Sequence, residues 1–346
     1  MTGFSLTGCT ARDRLEIADF QDSLWRGGTA ANLAYMDWKY GANPYLDDRY
    51  VTLAREGGEL VGMVGVFGAC WEVAGERFTL PCLTDTVVAP RYQGSPLFRI
   101  LTDEVVARLR ADGVPWLLDF GDQGAGPAML MNGWRPIGPW GQAVLKRAKP
   151  LVADRPWHEL AAVRGAGSGL VVRPLEAVDA EAMAGLVDRL PAGTGLRPVR
   201  DAGYFRWRAA NPLARYFHLV AGDDPIEGYL IGHRSGVDTD DGGTPTTIVD
   251  CEATSDAVFA DLVTAAVEQL PGAEVLMWVR DLPAARIAAL CARGAELDEP
   301  TGLFTRDMYL PNLVIRATGA DVPGALSSIH GPDMWNLSGV SGRAWR

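Results

Sequence analysis

The sequence is poor in the residues that hold metals and disulfides. Four histidines (His158, His218, His233, His330) stand far apart and form no H-E-x-x-H, so a zinc-hydrolase arrangement is excluded. Five cysteines (Cys9, Cys70, Cys82, Cys251, Cys291) are odd in number and show no C-x-x-C, so neither a disulfide framework nor a thiolate zinc site is expected. Positive charge is also short, with 32 Lys+Arg against 43 Asp+Glu and a net charge of −11. A surface of that sign repels phosphate backbones, which argues against nucleic acid as partner and is compatible with a cationic or amine substrate. Long apolar runs are missing too. The longest, Val61–Trp71, falls short of a membrane span and is broken by glycines. A soluble, cytoplasmic protein with reduced thiols, no metal and no membrane partner is the expectation.

What is present is enough chain for two domains: 346 residues, 48% hydrophobic and 22% charged. An internal repeat organises them. Tyr35-x-x-Trp38 followed by Asn43-Pro44 recurs as Tyr204-x-x-Trp207 followed by Asn211-Pro212. Each copy continues into a hairpin pattern, Tyr50–Ala54 with Leu60–Val66 and Tyr216–Ala221 with Ile226–Ile231. Leu83–Val88 is then answered by Ile248–Ala253. Amphipathic helices follow at Leu97–Leu109 and Ala257–Leu270, then strands at Pro115–Phe120 and Glu274–Val279, and short helices ending at Gly133 and Gly294. The spacing between copies shrinks from 169 at Tyr35/Tyr204 to 165 at Asp85/Asp250 and 161 at Gly133/Gly294, the steady drift that deletions produce. The expected division is 1–150, 168–314 and a tail over 315–346. Val171–Leu175 should open the second copy, and Arg14–Ile17 is its weak strand counterpart in the first.

Strand, loop and helix meet at Val87-Val88-Ala89-Pro90-Arg91-Tyr92-Gln93-Gly94-Ser95-Pro96-Leu97. Backbone amides gathered at a helix N-terminus make an anion site, and Gly94 lets a phosphate approach the chain. The segment resembles the pyrophosphate-binding motif, Arg/Gln-x-x-Gly-x-Gly/Ala, of the GNAT superfamily of acyl-CoA-dependent N-acyltransferases. Arg91 and Gly94 match, and Pro96 departs at the third position. The resemblance spans most of residues 10–148 and implies an α/β (α+β) fold. Each of two tandem modules would be a mixed, mostly antiparallel sheet flanked by helices.

It further implies acetyl-CoA or another acyl-CoA as co-substrate, gripped by Val87, Val88, Arg91, Tyr92, Gln93, Gly94, Ser95, Pro96, Leu97 and Asp122. The acyl group would pass to a primary amine of a small molecule by direct attack. In the second copy the loop shrinks to Cys251–Asp256, where Glu252 and Asp256 would repel phosphate, so one donor site is expected. Asp85, on the face of Val87 by strand alternation, is the candidate to take the amine proton or hold a cationic acceptor. The family's usual tyrosine acid is replaced by Met129, which leaves Tyr92, another tyrosine such as Tyr35 or Tyr40, or solvent to protonate the thiolate, or a reaction with no dedicated acid. Trp25, Tyr40 and Tyr45, which lack repeat counterparts, are candidate acceptor-pocket residues, whereas Tyr35/Trp38 and Tyr204/Trp207 read as repeat packing. An aminoacyl-donor transferase of the same doubled fold and a non-catalytic acyl-CoA-binding protein are the competing readings. Acceptor, acyl length and oligomeric state stay open.

Overall fold

Residues 3–120, 126–138, 140–152, 157–191, 193–235, 244–298 and 313–341 are described by the structure, a computed structural model. The chain starts with β1 (Ser5–Gly8), α1 (Arg14–Phe20), α2 (Asp22–Trp25) and α3 (Gly28–Met36), the last running into a π-helical turn at Asp37–Gly41. Next come β2 (Thr52–Glu56), β3 (Glu59–Val73), β4 (Glu76–Val88), α4 (Leu97–Ala111), β5 (Trp116–Phe120), α5 (Gly126–Met131) and β6 (Arg135–Ile137). After β7 (Gln142–Leu151) and β8 (Val163–Arg164), the pattern restarts with β9 (Val171–Leu175), α6 (Ala180–Arg189), β10 (Arg197–Pro198) and α7 (Ala202–Ala209). The hairpin, helix and strand then return as β11 (Ala214–Ala221), β12 (Gly228–Ser235), β13 (Thr246–Ala253), α8 (Asp256–Gln269), β14 (Gly272–Trp278), α9 (Ala284–Cys291) and β15 (Glu296–Asp298). The last strand is β16 (Leu313–Ala317).

The expected repeat is therefore present element by element. Leu97, Leu101, Val105 and Leu109 all lie at zero exposure, one apolar row every fourth residue, which is why this stretch folds as α4 against the sheet. One expectation fails at the start. Arg14–Ile17 is helical, because Ile17, Ala18 and Gln21 bury together at helical spacing; the strand that pairs with β2 is β1.

Two mixed, mostly antiparallel sheets result, with β4·β5 and β13·β14 the parallel pairs. Their strand orders show a reciprocal exchange. The first sheet runs β1-β2-β3-β4-β5-β16-β6, the second β15-β7-β14-β13-β12-β11-β9-β8. The place beside the fifth strand of each module is thus filled by a strand from outside it. β7 pairs with β14 and β15, and β16 pairs with β5 and β6. The division between sheets therefore does not fall at 150, and 315–346 is more than a tail. Leu313 and Ile315 are fully buried in the first sheet; Leu326, Ile329, Trp335 and Leu337 pack into the core shared by both modules. Trp335 meets Trp71 edge-on at 5.5 Å, and Leu196 and Asn336 exchange backbone hydrogen bonds with Met334 and Leu196. Trp345 lies outside the described residues.

The repeated tryptophans join the modules. Trp38 and Trp207 stack at 5.2 Å with planes 14° apart. Each indole N–H donates to the other's backbone carbonyl, at 2.5 Å from Trp38 and 3.0 Å from Trp207. Such reciprocity places a local two-fold between the copies.

Candidate functional site

β4 and β5 are in register only at Cys82↔Leu118 and Leu83↔Asp119. β4 runs on to Val88, five residues beyond the last described pair with β5, and a wedge opens on that side of it. The Ala89 N–H donates to Val61 O at 2.9 Å. Alternation along a strand then turns Val88's N–H toward the open side and Val87's back toward β3. Of the two valines, Val88 is the one whose amide faces the wedge.

A bulge sits at the mouth of the wedge. Residues 85 and 86 of β4 together oppose Val64 of β3, and Asp85 takes a left-handed φ of 49°. Asp85 keeps the face of Val87 that alternation gives it, and the bulge brings it round to the face of Thr84 as well. Thr84 and Asp85 are turned to the same partner, the ammonium of Lys39 at 3.0 and 2.8 Å. Tyr40 donates to the same Asp85 oxygen at 2.6 Å, and Gln21 donates to the Asp85 carbonyl at 2.8 Å. Lys39 also reaches Tyr35 Oη at 3.1 Å, and its ammonium stands 5.5 Å from the Phe67 ring centroid. Side-chain exposures of 1% for Lys39 and 4% for Asp85 make this a buried ion pair. Burial, followed by the Asp85 charge, pushes the Tyr40 hydroxyl well above its usual pKa and keeps it a donor. Gly65 is what lets Tyr40 in, since a Cβ there would come within 1.9 Å of Tyr40 Oη.

Lys39 was not singled out from the sequence, although the repeat marks it. Lys39 follows Trp38 as the buried Arg208 follows Trp207. The second module keeps the buried acid but changes its cation. Arg200 donates to Asp250 at 2.7 Å and to Glu252 at 2.6 Å, and Tyr229 donates to Asp250 at 2.9 Å. Burial above all raises the Asp250 carboxyl pKa.

The loop after β4 forms a short 3-10 turn at Pro90–Tyr92, passes Gly94 at φ 79°, and enters α4 through Pro96. A Cβ on Gly94 would meet nothing within 4 Å, so the approach to the helix end is open. Several loop amides are occupied internally: Tyr92 to Ala89 O, Gln93 to Pro90 O, Ser95 to Tyr92 O, and Leu97 to Ser95 Oγ. Phe98 and Arg99 then supply the first-turn amides that helices leave without intrahelical partners. Gln93, Gly94 and Pro96 are exposed, and Leu97 is buried under the sheet. Arg91 forms a bidentate pair with Glu59 at 2.8 and 2.6 Å. Tyr92 donates to Glu56, packs edge-on against Phe4, and lies under the Arg91 guanidinium.

Tyr92 and Asp85 are not brought together. Tyr92 reaches the β2–β3 turn at Glu56, and Asp85 opposes Val64; the five residues from Glu59 to Val64 span about 17 Å of strand. Trp25 and Tyr40, expected at an acceptor pocket, are core residues at 1% and 2% exposure. Tyr45 is half-buried, edge-on to Trp207 at 6.2 Å, with its hydroxyl buried and without a hydrogen-bond partner. Asp122 lies outside the described residues. Met129 and its counterpart Leu290 are fully buried core residues.

The second module's equivalent of the loop is closed. Ser255 caps α8 by accepting from Val258 N at 3.3 Å, and Arg286 is held by Asp256 at 3.2 Å and by the Ala253 carbonyl at 2.9 Å. Among the described residues no cluster of His, Cys, Asp or Glu could hold a metal, all five cysteines are unpaired, and no helix is long and apolar enough to cross a membrane.

The sequence profile of the acetyltransferase (GNAT) domain matches residues 13–121. No curated protein sequence matches the chain. Its fold is similar to a GCN5-related N-acetyltransferase from Anabaena variabilis (11% identity, TM-score 0.63), covering 91% of this chain and 73% of that one. A GCN5-related N-acetyltransferase from Kribbella flavida is similar at 18% identity and TM-score 0.59, covering 91% and 71%. A tandem GNAT protein from the clavulanic acid biosynthesis pathway is similar at 16% identity and TM-score 0.55, covering 92% and 100%.

Proposed function

We propose that this chain, whose residues 13–121 match the profile of the acetyltransferase (GNAT) domain, is an N-acyltransferase that moves an acyl group, acetyl at its simplest, from acyl-CoA to a primary amine of a small molecule. One observation carries the reading. In the first module the parted β4 and β5 lead into an open, glycine-bearing loop at the start of α4. In the second, the same place is sealed by Ser255 and by Arg286 with its acids. That contrast favours a single donor site, in the first module.

The chain's own groups divide the work. The Phe98 and Arg99 amides and the α4 dipole suit the pyrophosphate, and Gly94 leaves room for it. Val88 N–H is placed to donate to the thioester oxygen as negative charge develops there. The amine attacks the carbonyl carbon, the C–S bond breaks, the thiolate takes up a proton, and the ammonium proton of the product leaves to solvent. Asp85, held by Lys39 and Tyr40, acts here as a positioning residue that fixes the bulge rather than as the base, and the Tyr92 hydroxyl is taken up by Glu56 rather than offered to the thiolate.

Calorimetric titration with CoA and acetyl-CoA tests the assignment, with Gly94→Glu as control. Binding of one molecule per chain that the variant loses is the expected result. Two sites per chain would remove the claim about the second module, and no binding of either would remove the donor assignment.

A further inference from the structure

The second module has a wedge of its own, and it is filled. β13 and β14 pair in parallel as far as Ile248↔Met277, and β13 then runs on to Ala253 with no described pair to β14. The Thr254 N–H donates to Glu227 O on the β12 side, so alternation turns the backbone groups of Cys251 and Ala253 to the open side. An open strand edge of this kind invites an extended amide chain to lie along it. Arg286 takes the Ala253 carbonyl at 2.9 Å, which closes the end of the wedge nearest α8.

The other end, where the strands part, is closed by the last described stretch of the chain. The Leu337 N–H donates to Asp281, just past β14, at 2.8 Å. Next, the 3-10 turn Gly339–Ser341 packs against β13. A Cβ on Gly339 would come within 2.9 Å of the Val249 Cα, and Val249 is the residue after Ile248. The segment therefore bridges the two strands at the point where they part. It enters on the face away from α8, since Leu337 and Val249 belong to the core shared by both modules and Ile248 to the core under α8. Its end reaches the first sheet, where Ser341 lines a small cavity with Cys82, Leu118 and Phe120.

We propose that the second module's wedge is a peptide seat whose occupant is the chain's own segment Leu337–Ser341. The seat takes an extended, uncharged amide chain with glycine where that chain crosses β13. Asp281 accepts a backbone N–H, Val249 leaves no room for a side chain, and Ser255 and Arg286 seal the helix entrance. The arm that begins with β16 in the first sheet thus ends clasped in the second. The seat belongs to the other module and is independent of the reaction proposed above.

The test vacates the seat without altering it. Leu337→Asp combined with Gly339→Leu, in the full chain, sets a carboxylate beside Asp281 and a side chain against Val249, and should expel the segment. Gly339→Leu alone makes the same comparison with less disturbance of the core. Proteinase K should then cut between residues 336 and 341 about tenfold faster than in the parent. Gly324→Leu, on the same arm but with a Cβ that meets nothing, should leave the rate unchanged. Saturation-transfer NMR with the acetylated and amidated peptide Leu-Ser-Gly-Val-Ser should show binding to the vacated chain and none to the parent. The same peptide carrying Gly339→Leu should bind neither. Unchanged cleavage, equal peptide signal in parent and variant, or no peptide signal in the vacated chain overturns the seat. So does a signal from pantetheine where the peptide gives none, which would make the wedge a second donor slot held shut. A parent that fails to bind CoA removes the donor site of the first module and leaves this result standing.

Discussion

Removing the Lys39 ammonium puts the structural argument at greatest risk. The pair it makes with Asp85 is 2.8 Å long, with side chains 1% and 4% exposed. Lys39→Met keeps the length and apolar stem of the side chain and takes the ammonium away from a buried carboxylate to which Tyr40 still donates. Breaking a buried pair from one side costs about 3–5 kcal/mol, because a lone charge stays buried. That is a large share of the 5–15 kcal/mol typical of a whole domain. Asp85→Asn is the matching change, since asparagine accepts the left-handed φ of 49° that most residues resist. Lys39→Met combined with Asp85→Asn should cost less than the sum of the two, with a coupling of about 1–3 kcal/mol. Urea unfolding followed by tryptophan fluorescence reads all four corners of the cycle, and an unchanged slope would show the same unfolded state in each. Additivity within about 0.5 kcal/mol, or a Lys39→Met loss below about 1 kcal/mol, would refute the claim that this pair holds the bulge.

Gly65→Ala should destabilise the same assembly, because the new methyl occupies the place of Tyr40 Oη; thermal melts of this variant beside Gly324→Ala, whose Cβ meets nothing, separate crowding from glycine loss. Acid should act through two histidines before it acts through carboxylates. Burial holds His218 at about 4 and His233 at about 3, below the usual 6.5, so the folded chain binds fewer protons than the unfolded one. Their contribution is intact above pH 6.5 and falls as pH drops toward 4 and 3, by about 2 kcal/mol per histidine at pH 5. Urea midpoints between pH 7.5 and 5 should fall in the parent and flatten in His218→Gln, and parallel slopes would refute the assignment. Ending the chain at residue 312 removes β16 together with Trp335 and should leave an aggregating product; a soluble, cooperatively melting fragment would show the first sheet complete without them.

The sequence made the repeat legible because each copy writes its elements in periodicity, and α4, β5 and β9 fall where those periods place them. The packing role of Tyr35/Trp38 and Tyr204/Trp207 was legible for the same reason, since both copies need it. What stayed hidden depends on partners distant in sequence. Asp85 shares a face with Thr84 as well as Val87 because one extra residue enters β4 opposite Val64, and no local pattern records an insertion that only the neighbouring strand reveals. Lys39 carries no signal of its own until the bulge supplies its carboxylate. Trp25 and Tyr40 looked like pocket residues for want of counterparts, yet irregular helices at the start of a module need large side chains to fill their own core. The exchange of β7 and β16 is equally silent, because a strand carries the same pattern whichever sheet accepts it.

That exchange has a consequence for how the protein is made. On a ribosome the N-terminal two-fifths of the chain emerges first, yet its sheet lacks the strand between β5 and β6 until residues 313–317 have been translated. Throughout that interval β5 offers an open hydrogen-bonding edge, the kind that recruits other chains. The second sheet has no such delay, since β7 precedes it. Maturation therefore runs backwards: the copy with the sealed helix entrance can close first, and the copy proposed to bind the donor becomes whole only once β16 has been made.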